Sequence, residues 1–136
     1  MLIVQRIDNL LEHIDLVLND TKEISFQDLD KSSLLLRATC FSISQIGEIM
    51  NHLEKELSNK YAHLPWTRAR RMRNIIVHDY VGTDIQQVYS TIKLDLPILK
   101  DSFMAIRKDL ISNYKALLDL PFHFLELLQL DSSNLL

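Results

Sequence analysis

Apolar positions recur at spacings of three and four along most of this chain. Ile3, Ile7, Leu10, Leu11, Ile14 and Leu18 line one face of a helix predicted over about 3–19. Asn19-Asp20-Thr21 breaks that pattern. Residues 21–31 are mixed, and Ser25 with Asp28 has the spacing of a short helix cap. A second stripe (Leu35, Leu36, Thr39, Ile43, Ile46, Ile49, Met50, Leu53) predicts a helix over about 32–57. Gly47 lies inside it, at a cost of roughly 1 kcal/mol relative to alanine. Close packing against a neighbouring helix is the expected reason, and a place near an active site is the alternative. Residues 58–67 read as a loop broken by Pro65, with Thr67 as the N-cap of a third helix. That helix carries Met72, Ile75, Ile76 and Val77 and should stop near Tyr80, because Gly82 is a natural C-terminal stop. Thr83-Asp84 caps a fourth helix over about 84–113, with Ile85, Val88, Ile92, Leu96, Leu99, Phe103, Ile106 and Leu110 on its stripe and a kink expected at Pro97. The remainder, 114–136, is rich in Leu and Phe up to Leu130 and reads as a C-terminal helical extension packed on the bundle or on a partner. The pattern predicts an all-α, up-down bundle of four to five helices in one domain, with a body over 1–113.

Composition agrees. Apolar residues make up 47% and charged residues 24% of 136, which is globular rather than disordered. With two glycines and three prolines, a turn-rich fold is excluded. The single Cys40 has no internal partner and lies in an apolar stripe, so it reads as a small buried hydrophobe in a reducing compartment. Met1-Leu2-Ile3-Val4 is too short for the apolar core of a signal peptide, and no apolar run approaches a membrane span. A cytoplasmic protein is expected. A net charge of −3 excludes a general nucleic-acid coat protein. Arg68, Arg70, Arg71 and Arg73 nevertheless fall within six residues, a local cationic patch suited to one defined anionic ligand.

The chemistry concentrates in Arg70-Arg71-Met72-Arg73-Asn74-Ile75-Ile76-Val77-His78-Asp79-Tyr80. On a helix Asn74 and His78 share a face, and Arg70 extends that stripe one turn upstream. Arg73 lies about 140° around the axis from His78, so the two do not stack. Their heads converge on one ligand only through the long arginine arm, or if a second subunit completes the site. The residue types suit cleavage of an RNA phosphodiester. Histidine takes a proton from the 2′-OH or gives one to the leaving 5′-oxygen. Arginine grips the non-bridging oxygens, and Asn74 orients the imidazole or the phosphate. Arg70 and Arg71 are candidate substrate-binding cations. None of these roles requires a metal or other cofactor. By spacing alone the signal is weak, and an arginine-rich solvated face with a histidine near a helix end is the commoner reading.

Four ordered segments add context. Arg73-Asn74-Ile75-Ile76-Val77-His78-Asp79-Tyr80 resembles the Arg-polar-x-x-x-His motif of HEPN domains, in the form with a following x-Tyr seen in HepT toxins. Ile46-Gly47-Glu48 resembles the Ile-Gly-Glu of that family's preceding helix. Leu64-Pro65-Trp66 resembles its Ile-Pro-Trp lead into the motif, and Asp95-Leu96-Pro97-Ile98-Leu99 its Asp-Leu-Pro-x-Leu. The likeness covers roughly 3–110. It departs at Ile49, where the family often has alanine, and the tail beyond about 113 has no counterpart. The resemblance implies a homodimer whose motif helices meet across the two-fold axis, with Arg73, Asn74 and His78 catalytic and Glu48 facing the cleft. It implies metal-independent endoribonuclease cleavage of tRNA or mRNA with a 2′,3′-cyclic phosphate product. It also implies a neighbouring MNT-type minimal nucleotidyltransferase antitoxin, in a larger hetero-oligomer, that adds AMP to Tyr80. The added negative charge and bulk would oppose RNA binding.

Other residues carry blander readings. His13, His63 and His123 are scattered and lack ligand spacing, and no Glu-x-x-His occurs. Trp66 reads as a packing anchor at the start of the motif helix. Two function classes follow: an RNA-cleaving toxin held in check by its partner, and a non-catalytic module that docks a nucleotidyltransferase or RNA. The complete set of Arg73, Asn74 and His78 favours the first.

Overall fold

The first stripe folds as α1 (Leu2–Asp20), burying Ile7, Leu10, Ile14 and Val17. This computed structural model describes residues 2–74 and 84–121. After α1, Ser25 and Asp28 cap a short helix, α2 (Phe26–Lys31), as the spacing predicted. The Ser25 hydroxyl accepts from the Asp28 N–H at 3.1 Å, and the Ser25 N–H donates to the Asp28 carboxylate at 3.0 Å. That amide, with the Ser25 hydroxyl behind it, holds the Asp28 carboxyl below the usual carboxylate range. Ser32 then caps α3 (Ser33–Leu57), the long second stripe, which buries nine residues from Leu36 to Leu57.

The loop after α3 is anchored to the far side of the bundle. The Tyr61 hydroxyl donates to Asp109 at 2.6 Å, and the Lys60 ammonium lies 3.2 Å from the same oxygen. Both contacts hold the Asp109 carboxyl below its ordinary value, the tyrosine more strongly. The next helix, α4 (Trp66–Asn74), buries Trp66, Ala69 and Met72 at intervals of three. It starts two residues earlier than a Thr67 cap predicts. The Pro65 carbonyl accepts the first bond, from the Ala69 N–H at 3.1 Å, so Thr67 lies inside the first turn and is not the N-cap. Trp66 is the anchor the sequence implied. Its indole N–H donates to the Tyr61 carbonyl at 3.0 Å, and its ring meets Phe103 edge-on at 6.2 Å between centroids.

Asp84 caps the following helix as expected, its side chain accepting from the Gln87 N–H at 3.2 Å. This last helical stretch is α5 (Ile85–Ser90), a π turn over Thr91–Asp95, and α6 (Leu96–Leu118). The wide turn is closed by the Leu96 N–H bonding back five residues to the Thr91 carbonyl. Pro97 has no N–H, and its ring excludes the carbonyl four residues back. The misfit expected as a kink at Pro97 is thus taken up by a π turn just upstream. The helix also runs on to Leu118, past the break predicted near 113. The rest of the tail, 122–136, lies outside the described residues.

Ion pairs fix the sense of packing. Asp8 pairs with Arg107 and Asp15 with Lys100 at 2.6 Å, so α1 and α6 run antiparallel. Arg6 pairs with Glu56 at 3.0 Å, joining the start of α1 to the end of α3. The shared core holds Leu10, Ile14, Ile43, Ile46, Met50, Leu96, Leu99 and Phe103, all at most 1% exposed. Cys40 is buried among them, and burial raises its thiol pKa. The described residues are helical with no strand, an all-α bundle, and no described helix is long and apolar enough to cross a membrane.

Candidate active site

Helix α4 is arginine-rich on every face that is not buried. With about 100° per residue, Arg70 and Arg73 lie about 60° apart, as do Arg68 and Arg71, whereas Arg71 and Arg73 are about 160° apart. The helix therefore presents two cationic edges.

The first edge faces α3. Arg70 is paired with Glu54, whose carboxylate is only 18% exposed. The Arg73 Nε lies 2.8 Å from Glu48, with 52% of the arginine side chain exposed. The other Glu48 oxygen is 3.6 Å from His52 Nε2. Glu48 thus holds Arg73 by its inner nitrogen. A guanidinium carries five N–H donors, so the two outer nitrogens keep theirs for a ligand. A phosphate gripped there by both would be held in a planar fork.

Gly47 explains how α4 comes so close. A Cβ on Gly47 would lie 2.5 Å from the Arg73 backbone nitrogen and 2.9 Å from its Cα. Only glycine allows that approach. The two readings of Gly47 merge: it packs against a neighbouring helix, and the residue it packs against is Arg73.

The second edge faces α5. Arg68 pairs with Asp95 at 2.8 Å. Arg71 is exposed and has no ion-pair partner among the described residues. Asn74 is exposed at the last position of α4. His78 and Tyr80 lie outside the described residues. The structure therefore brings together Arg73, Glu48 and His52, and it separates Arg70 from Arg71, which the sequence had grouped.

Sequence reasoning passed over His52 and Glu54, and it noted Asp95 only within the Asp-Leu-Pro-x-Leu segment. For His52 the signal was present, since it follows Glu48 by four residues on one helix. Glu54 and Asp95 pair with arginines 16 and 27 positions away, and nothing local marks those pairings.

The family model described as ribonuclease HepT-like matches residues 10–106, which include α4 and both helices that flank it. The chain belongs to the HepT-like ribonuclease family. Among its relatives is a protein of Thermococcus cleftensis named "Probable ribonuclease HepT", 29% identical over 102 residues, covering 75% of this chain and 93% of the relative. A Methanocaldococcus jannaschii protein named "Gamma-glutamylcyclotransferase and putative RNase" is 33% identical over 107 residues. That match covers 79% of this chain but 48% of the relative, so the chain spans about half the length of that protein. A Caldanaerobacter subterraneus relative named "Putative RNase" is 31% identical over 94 residues, 69% of this chain and 84% of its own. No solved structure matches the chain. The HepT-like match spans the Gly47–Arg73 contact and the arginine-bearing helix.

Proposed function

We propose that this HepT-like chain is a metal-independent endoribonuclease toxin of the cytoplasm, acting as a homodimer in which two α4 helices form one cleft. Arg73 grips the scissile phosphate. His78 of one copy takes the 2′-OH proton as the 2′-oxygen bonds to phosphorus. The bond from phosphorus to the 5′-oxygen breaks, and that oxygen takes a proton from the second imidazole or, where that imidazole is missing, from water. The products are a 2′,3′-cyclic phosphate and a free 5′-hydroxyl. Asn74 orients the imidazole or the phosphate. A minimal nucleotidyltransferase antitoxin silences the site by transferring AMP to the Tyr80 hydroxyl, with pyrophosphate leaving from ATP.

The observation that carries the reading is Arg73, a half-exposed guanidinium held from behind by Glu48 on the helix that begins the family motif. Two copies answer the geometric problem that one Arg73 and one His78 point in different directions. The test is complementation between two inactive variants. Arg73→Ala and His78→Ala homodimers should each leave RNA intact, and mixing them after unfolding and refolding should restore partial cleavage through heterodimers. Intact RNA in the mixture, with cleavage by wild type, would overturn the shared cleft. Equal growth and intact RNA on inducing wild type or His78→Ala would overturn the nuclease. Intact mass after incubation with the nucleotidyltransferase and ATP tests the modification. Tyr80→Phe should gain no adenylyl mass, and a gain places the modification elsewhere.

A further inference from the structure

The second cationic edge of α4 borders a groove of about 360 Å³ between α4, α5 and the π turn. That volume lies within the range of small-ligand sites. Met72 forms part of its wall, buried at 2% exposure. Two of its charged groups are committed: Arg68 to Asp95 at 2.8 Å, and Asp84 to capping the Gln87 N–H at 3.2 Å. The Thr91 hydroxyl is committed as well, donating to the Gln87 carbonyl at 2.9 Å. Arg71, Gln86, Gln87 and Ser90 have no side-chain partner among the described residues and remain for a ligand.

The set has a definite chemistry. Arg68 and Arg71 balance Asp84 and Asp95, so the groove has no excess charge to hold a bare anion. Among the described residues it offers one uncommitted cation beside two carboxamides and a hydroxyl. Carboxamides donate and accept together, and so match the edge of a nucleobase, while arginine takes a phosphate. A nucleotide unit with its base unstacked supplies both parts, and single-stranded RNA is read in that way. π turns recur beside functional sites, and this one forms the far wall. The lining is too polar for the buried core of a protein interface.

We propose that this groove is a nucleotide subsite, holding one unpaired nucleotide of the RNA beside the cut, with Arg71 on its phosphate and Gln86, Gln87 and Ser90 on its base. The inference rests on the nuclease reading above. It places substrate selection on the edge of α4 turned away from Arg73, about 10–12 Å across the helix. Arg70, paired with Glu54, takes no part in it.

The test uses the full chain and a fluorescent 2′-O-methyl octaribonucleotide, which lacks the attacking hydroxyl. Anisotropy should show Arg71→Ala weakening binding about ten-fold and lowering the slope of log affinity against log salt by about 0.7, the value for one phosphate on a single strand. Lys108→Ala, at an exposed cation on α6 outside the groove, should leave both unchanged. The pair Gln86→Ala with Gln87→Ala should level the preference among oligo-A, -C, -G and -U while keeping the salt slope. Wild type that cuts unmodified RNA but binds the probe no differently after Arg71→Ala would refute the subsite alone. Wild type that neither binds nor cuts refutes the nuclease reading with it. Loss of nucleotidyltransferase binding with unchanged RNA affinity in Arg71→Ala would make the groove a protein-docking surface and overturn the proposal.

Discussion

At the scale of single residues, Gly47 and Glu48 set the position and the aim of Arg73. Gly47→Ala places a methyl group 2.5 Å from backbone that cannot swing aside as a side-chain tip does. Overpacking of this kind costs about 1–3 kcal/mol. The expected outcome is a lower melting temperature together with reduced cleavage, because α4 must move outward and carry Arg73 with it. Calorimetry and an RNA cleavage assay check the two effects, and an unchanged melting temperature would mean the helices separate freely. Glu48→Gln removes the charge behind Arg73 and keeps the size of the side chain. Cleavage should fall while the melting temperature stays nearly constant, since half-exposed ion pairs contribute little to stability. Glu48 was singled out by the Gly-Glu resemblance, and its ion pair with Arg73 gives that residue a structural place. Its contact with His52 was legible from spacing and was overlooked. The ties of Arg70 to Glu54 and of Arg68 to Asp95 were not, since long-range ion pairs leave no periodic trace.

At the scale of elements, the apolar stripes determined which helices form, and the ends followed from local chemistry. The capping box at Ser25 and Asp28 and the Asp84 cap were visible because capping is a contact over three residues. The start of α4 was misjudged by two residues. Thr67 is a good N-cap by type, but Pro65 and the bonds of Trp66 to Leu64 and Tyr61 fix the start of the helix first. The π turn could not be foreseen from a stripe, since the stripe continues across it. The α2 cap yields a prediction. Ser25→Ala should cost about 1 kcal/mol, typical of a lost N-cap, read as a shift in the urea midpoint. The Asp28 carboxyl titrates lower in the folded chain than in the unfolded one. Its contribution is therefore complete above the unfolded carboxylate value and fades as pH falls through the folded one.

At the scale of the whole molecule, the bundle is held by a core that α1, α3 and α6 share and by one loop that ties α4 to α6. Phe103 is fully buried and carries the Trp66 ring. Phe103→Ala should cost about 3–5 kcal/mol, and denaturant unfolding checks it. The Tyr61–Asp109–Lys60 cluster holds the loop before α4. Because Asp109 titrates low when folded, its contribution is present above the unfolded carboxylate value and is lost on acidification through the folded one. Asp109→Asn should flatten the acid limb of a plot of melting temperature against pH, and an unaltered limb would show the cluster to be idle.

The π turn has one more consequence, and it concerns chain length. Between Thr91 and Asp95 the helix accommodates its residues without closing as an α-helix. Deleting one residue there would let it close, and at 3.6 residues per turn everything upstream would rotate by about 100° relative to α6. Val88, now buried against the core, would turn towards water, and Gln86 and Gln87 would swing away from α4 without any change in their own identity. Which way this wall of the molecule faces is thus set by a count of residues, so a single in-frame codon could alter it where many substitutions would not.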